Sequence, residues 1–262
     1  WGNNISEDPK KIFSITEKAI DFIEENVQKK TTFYLQLSHY AIHSNLMMTK
    51  KSYEKYSKKE KGKIHDNIGL AAMTEDLDHS VGLIMEKLKE LGIENNTYII
   101  YSSDNGSVPI IVPRRYYQQS YNYPLSRGKW DAMEGGIRVP MIICGPNIEP
   151  NSYSATNISF SDLLPTIIDI ISSKKIKDKS LDGGSFKDIL FGKSKTIKRP
   201  TNGLIFHVPY ENGIALKRAH SAIIQDNLKL VKFYDNNEIQ LFNLNRDIYE
   251  RNDLSKEKYN IA

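Results

Sequence analysis

Between residues 9 and 30, Ile12, Ile15, Ala19, Ile20, Phe22 and Ile23 recur at roughly helical spacing, with acids and lysines between them. That period predicts an amphipathic helix with one buried stripe. The next stretch, "TTFYLQLSHYAIHSN", opens with β-branched and aromatic residues and closes with polar, histidine-rich ones. It predicts a buried strand running into a loop. In "DNIGLAAMTEDLDHSVGLIMEKLKELGI" the apolar positions include Leu77, Val81, Ile84, Leu88 and Leu91, and the pattern stops at Gly92. This is a second helix, with glycine as its C-terminal cap.

"NNTYIIYSSDNGS" then predicts a strand that breaks off at Asp104, Asn105 and Gly106. An irregular stretch rich in tyrosine and proline, Val108 to Pro124, leads to "PLSRGKWDAMEGGIRVPMIICGP", a glycine-punctuated loop feeding a further strand. "FSDLLPTIIDIISS" predicts another helix, whose Pro165 is tolerable only in a first turn. From residue 200 the pattern changes to short strands, "GLIFHV", "HSAIIQDNLKLVKFYD" and "NEIQLFNLNRD", separated by Asn and Asp turns.

Helices alternating with near-continuous apolar strands predict an α/β domain over residues 1–199, its mostly parallel sheet sandwiched by helices. Residues 200–262 form a small antiparallel α+β subdomain on this reading. Ligands collect at the carboxyl ends of strands in such sheets, which is where the His39–Asn45 loop and the Asp104 turn both fall.

Composition narrows the picture. The 262 residues are 39% hydrophobic and 26% charged, enough apolar material for a sizeable core. No apolar run approaches the roughly 18 to 20 residues that span a bilayer. The formal charge of +4 sits largely in patches such as "TKKSYEKYSKKEKGK", where acids and tyrosines interrupt the lysines and arginine is absent. That pattern reads as a solvated loop or short helix and not as a nucleic-acid surface. The single cysteine, Cys144, lies in the apolar run "VPMIICGP" and is expected as a buried strand residue. The chain opens with Trp1 in place of Met, and no signal peptide is recognisable, so Trp1 is expected not to be the gene's first residue.

Candidate chemistry gathers at a few positions. Asp104 and Asn105 offer a carboxylate and an amide oxygen, hard ligands suited to Ca2+ or Mg2+, although Asp-Asn-Gly is equally a good turn sequence. Lys129 lies in the glycine-flanked "RGKWDAMEGG", where an ammonium can meet an anionic oxygen. His39 and His43 could hydrogen-bond an anion or donate a proton, and His207 and His220 are weaker candidates. Phosphate-binding glycine loops, the Gly-x-Ser-x-Gly elbow, His-Glu-x-x-His and paired Cys-x-x-Cys are all absent from the sequence.

Taken in order, "FYLQLSHYAIHSN", "MTEDLDHSVGLIMEKLKELGIENNTYIIYSSDNG", "LSRGKWDAMEGGIRVPMIICGP", "SDLLPTIIDI" and "NLKLVKFYDNNEIQLFNLNRDIYERNDLS" closely resemble the sulfatase family. The likeness runs over nearly the whole chain and corresponds to the second half of an alkaline-phosphatase-like catalytic domain plus its C-terminal subdomain. It implies a sulfuric ester hydrolase of the formylglycine-dependent type acting on a sulfated small molecule or saccharide, in a periplasmic or secreted setting. Asp104 and Asn105 match the family's divalent-cation pair, most often calcium, with magnesium the alternative. Lys129 matches the lysine that contacts sulfate and ester oxygen. His43 matches the histidine on the leaving-group side, with Ile42 and Asn45 replacing the prolines of the family's Pro-His-x-Pro loop. His207 resembles a histidine that faces substrate in some subgroups.

Two family elements have no match. These are the N-terminal aspartate pair that completes the metal site, and the Cys/Ser-x-Pro/Ala-x-Arg motif whose first residue becomes formylglycine. Cys144 is followed by Gly145 and Pro146 without an arginine in register, so it is no substitute. The chain therefore resembles a C-terminal fragment, inactive alone, with the N-terminal half as its expected partner. A phosphatase, phosphodiesterase or phosphonate hydrolase of the same superfamily, or a non-catalytic binder of sulfated glycans, remain the alternatives. The segment from Val108 to Tyr123, with Arg114, Arg115 and several tyrosines, could line a carbohydrate cleft or pack on the surface.

Overall fold

Helix α1 (Ile12–Gln28) buries Ile12, Thr16, Ala19 and Ile23, the stripe that the apolar period predicts. Thr16 joins it because its hydroxyl is satisfied within the helix, donating to the Ile12 carbonyl at 2.7 Å. The computed structural model describes residues 4–109, 122–172, 180–211 and 218–258. It divides into two units, Trp1–Tyr98 and Ile99–Ala262.

In the first unit, β1 (Asn4–Ile5) pairs in parallel with β2 (Met47–Met48). Helix α2 (Lys50–Ser57) is the short helix expected in the lysine-rich stretch, and α3 (Ile68–Glu90) the long one. Asn67 Oδ1 caps α3 by accepting from the Leu70 amide at 2.8 Å. At the other end Gly92, at φ 68°, donates to Lys89 and the next amide, Ile93, donates to Leu88. These two bonds satisfy carbonyls that the helix leaves open, as the glycine predicts. Ile12, Met48, Ala72, Met73 and Leu77 form the apolar cluster of this unit. Beside it, buried Asp76 of α3 accepts from Thr49 N (2.7 Å), Thr49 Oγ1 (2.8 Å) and Ser52 Oγ (2.6 Å), tying α3 to the start of α2.

The strand expected in "TTFYLQLSHY" is not formed. Burial alternates residue by residue from Phe33 to Tyr40, as in a strand, but no described strand pairs with this segment and its ladder is missing. Period-2 patterning fixes which side chains turn inward, whereas a strand also needs a neighbour for its backbone groups.

In the second unit, β3 (Ile99–Ser102) and β4 (Met141–Cys144) pair antiparallel, with Ile99 opposite Cys144. Among the described residues, the parallel pairing expected of the main sheet is confined to β1 and β2. Cys144 is in a strand as expected but is exposed, not buried. The pleat puts it on the same face as Ile142, which is 63% exposed, while Met141 and Ile143 turn the other way. Between β3 and β4 lies α4 (Glu134–Ile137). Helix α5 (Leu163–Ile171) starts two residues before Pro165, so the missing N–H falls in the first turn. Its approach is held by Asp162, which accepts from Arg199 Nε at 2.8 Å and Nη2 at 2.6 Å. After α6 (Lys187–Leu190), strands β5 (Leu204–Val208), β6 (His220–Gln225), β7 (Leu228–Phe233) and β8 (Ile239–Asn243) make an antiparallel sheet in chain order. Its inner face, including Leu204, Ala222, Ile224, Val231, Phe233 and Phe242, packs on Ala132 and Met133 of the segment that follows Lys129.

Candidate functional site

The turn after β3 leaves Asp104 exposed and Asn105 half-buried. Asp104 Oδ1 accepts from the Asn105 amide at 3.0 Å, and Asn105 Nδ2 donates to the Gly106 carbonyl at 2.9 Å. With one atom of each side chain used to fix its orientation, Asp104 Oδ2 and Asn105 Oδ1 are the oxygens left to face a ligand. A carboxylate and an amide oxygen fit a hard divalent cation such as Ca2+ or Mg2+. The described residues contain no group of three or more His, Cys, Asp or Glu side chains able to hold a metal.

The same turn is joined to the Lys129 loop by backbone bonds. Gly106 N donates to Gly136 O at 2.9 Å, and Lys129 N donates to Ser107 O at 2.9 Å. Asn122 bridges the two segments: its Oδ1 accepts from Ser107 N at 2.9 Å, while its Nδ2 donates to Ser107 O at 2.6 Å and Arg127 O at 3.0 Å. Glycine is needed for this approach. A Cβ on Gly106 would stand 1.7 Å from the Gly135 carbonyl oxygen, and one on Gly128 would stand 2.2 Å from that of Ser107. The glycines around Lys129 in the sequence thus mark where two backbones touch.

Lys129 sits in a bent stretch. Arg127 and Trp130 both have positive φ, 59° and 76°, in a region that side-chain-bearing residues seldom occupy. Behind them the loop meets the C-terminal sheet through polar groups that sequence reasoning did not select as a unit. Buried His220 accepts from the Ala132 amide at Nε2 (3.0 Å) and donates from Nδ1 to the Arg218 carbonyl (2.7 Å), which fixes a neutral ring with its proton on Nδ1. Glu250 Oε2 accepts from the Glu134 amide at 2.9 Å. Lys229 Nζ, fully buried, donates to Glu134 Oε1 at 3.0 Å and pairs with Glu250 Oε1 at 2.7 Å. Arg138 Nε donates to the other Glu134 oxygen at 2.6 Å. Burial pushes the Glu250 carboxyl above the usual carboxylate range, and Lys229 opposes that shift. One signal was legible: Lys229 shares a strand face with Val231 and Phe233, and a lysine on an apolar face requires a buried anion.

The histidines are placed differently. His43 belongs to the first unit, in an exposed loop after the extended segment. Its Nδ1 donates to the Ser44 carbonyl at 2.8 Å. His39 has both ring nitrogens buried without a hydrogen-bond partner, and burial lowers its pKa. His207 is exposed on β5, with Nδ1 2.6 Å from Ser221 Oγ, which is itself 2.7 Å from Tyr234 OH. Its strand neighbours Phe206 and Val208 pack toward Ala132 and Met133, so the pleat turns His207 to the opposite face of the sheet from the Lys129 segment. Of the residues proposed from sequence, the second unit thus brings together Asp104, Asn105 and the Lys129 loop, and sets His207 apart. Arg114 and Arg115, offered as lining a carbohydrate cleft, lie outside the described residues.

Comparison with known proteins explains why these segments occur in this order. The chain is 27% identical over 263 aligned positions to a sulfatase of Formosa agariphila, covering 93% of this chain and 46% of that protein. It is 30% identical over 195 positions to human steryl-sulfatase, covering 74% of this chain and 31% of that protein. Among solved structures, Ps i-CgsB in complex with k-i-k-neocarrahexaose superposes with a TM-score of 0.77 at 25% identity, over 95% of this chain and 52% of that one. The chain therefore spans about half the length of the first of these relatives, or less. A model described as "N-sulphoglucosamine sulphohydrolase, C-terminal" matches residues 129–261. The sulfatase model matches residues 10–173, more than half of the sequence, and the chain belongs to the sulfatase family.

Proposed function

We propose that the protein to which these residues belong hydrolyses sulfate esters of carbohydrate, and that this chain supplies the cation-binding turn and the anion-binding lysine of its centre. The observation that carries the reading is the pair of backbone bonds, Gly106 N to Gly136 O and Lys129 N to Ser107 O, which hold the Asp104–Asn105 turn against the Lys129 loop. Hydrolysis of a sulfate ester builds negative charge on the sulfuryl oxygens and on the departing alcohol oxygen. Groups fixed in advance near those oxygens lower the barrier because they need no reorganisation as charge develops.

In this assignment Asp104 and Asn105 hold one side of a divalent cation, calcium in preference to magnesium because a partial shell on a surface turn suits a larger, less geometrically strict ion. When bound, such an ion supplies charge neutralisation to the sulfate oxygens. Lys129 places an ammonium on the same anion, and the proton-donor role given to His43 rests on the family resemblance of its own loop. His207 receives no part in the Lys129 site, because it lies on the other face of its sheet. The family's nucleophile, a formylglycine, has no counterpart among these 262 residues, so the chain on its own binds without turning over. The remaining metal ligands and that nucleophile are assigned to an N-terminal portion of the same protein.

The preference for carbohydrate is supported by the sulphoglucosamine-type model over residues 129–261 and by the neocarrahexaose complex of the structural neighbour. Calorimetry of the full chain with CaCl2, and then with a sulfated oligosaccharide, tests the assignment. Binding of both that is lost in D104A and K129A respectively supports it. Binding of phosphate esters in preference to sulfated sugars would overturn the sulfate reading.

A further inference from the structure

The Lys129 loop holds a conformation it would not hold alone. Trp130, immediately after Lys129, sits at φ 76°, and Arg127, two residues before it, at φ 59°. Positive φ at residues with a Cβ persists only where the surroundings fix it, and such positions gather at sites where geometry matters. On the front, Lys129 is held by its amide bond to Ser107 O. On the back, the amides of Ala132 and Glu134 are captured by His220 Nε2 and Glu250 Oε2. These two acceptors lie 88 and 116 residues from their own donors in sequence, so neither bond is a local turn contact.

Charge balance makes the rear attachment rigid. Lys229 bridges Glu134 and Glu250, and Arg138 occupies the second oxygen of Glu134. Two carboxylates thus meet two cations, and Lys229 is fully buried. Removing one partner strands a buried charge, so the cluster tolerates little displacement.

We infer that His220, Lys229 and Glu250 are positioning residues for Lys129, holding its loop from behind so that the ammonium stands at a fixed place beside the Asp104–Asn105 turn. The inference rests on the reading of Lys129 as an anion-binding residue. None of the three touches the anion. His220 and Glu250 act through the backbone amides of Ala132 and Glu134, and Lys229 acts through the carboxylates of Glu134 and Glu250.

The test uses the full chain, with amide exchange and a sodium sulfate titration both followed residue by residue by NMR. H220L and K229M are expected to speed exchange at Ala132 and Glu134 at least tenfold and to weaken the sulfate response at the Lys129 amide several-fold, with α3 unchanged. H220Q, which retains an oxygen acceptor for Ala132 N, and K229R, which retains the cation, are expected to stay within about twofold of the unaltered chain. A merely structural role would not give that split between truncating and conservative variants while the rest of the second unit keeps its exchange. If K229M does not fold, H220L and H220Q decide. Folded H220L and K229M with unaltered exchange and sulfate response would overturn the inference, as would conservative variants as impaired as the truncating ones. An unaltered chain showing no sulfate response at Lys129 would instead refute the anion reading, and exchange at Ala132 and Glu134 would still show whether the attachment holds the loop.

Discussion

The amide of Gly106 donates to the carbonyl of Gly136 at 2.9 Å, which sets the Asp104–Asn105 turn against the loop that carries Lys129. The contact is possible because Gly106 has no Cβ, which would stand 1.7 Å from the Gly135 oxygen. G106A therefore forces two backbones apart. It is expected to lower stability by about 1–3 kcal/mol or more, read as a reduced denaturant midpoint, with calcium binding weakened at the same time.

Gly82 gives the opposite expectation. It lies inside α3, and a Cβ there would meet nothing within 4 Å. G82A removes backbone freedom from the unfolded chain without a clash and is expected to stabilise by about 0.5–1 kcal/mol. A raised denaturant midpoint checks it.

Asp76 gathers three donors from Thr49 and Ser52 at the junction of α2 and α3. D76A leaves those donors without their acceptor in a buried setting, and a loss of about 3 kcal/mol is expected. D76N keeps an acceptor oxygen and should lose less. Chemical denaturation of the two variants side by side separates charge from hydrogen bonding.

His39 sets a pH dependence. Its folded-state pKa is lowered by burial, so the folded chain resists the proton that the unfolded chain accepts. Above about 6.5, the ordinary histidine value, both states are neutral and the contribution to stability is fully present. As pH falls below that value the unfolded state is protonated first and stability is lost. H39F should show a smaller fall in stability between pH 7.5 and 5.5 than the unaltered chain, measured by denaturation at both pH values.

Helix α3 was legible because it declares itself twice, by period and by terminus. In α3 the apolar stripe agrees with the Asn67 cap and with Gly92 at positive φ. Pro165 located the start of α5 for the same kind of reason. The segment Thr31–Tyr40 was misread because alternation reports which way side chains face and says nothing of a neighbouring strand. Cys144 was misread because an apolar run of four residues does not reveal which face is covered.

At the site, Asp104, Asn105 and Lys129 stood out as ligand-type residues near glycine. Their union did not, because it is made by backbone atoms and by Asn122, which carry no pattern in sequence. The Glu134–Lys229–Glu250 cluster joins residues far apart in the chain and left one trace, a lysine on an apolar strand face.

The central claim is that these residues carry the cation turn and the lysine of a sulfatase centre but not its nucleophile. Hydrolysis of 4-nitrophenyl sulfate by the purified chain in the presence of CaCl2, set beside K129A, tests it most directly. The account predicts no turnover above buffer for either protein. Turnover by the unaltered chain that K129A abolishes would place a nucleophile within these 262 residues and contradict it.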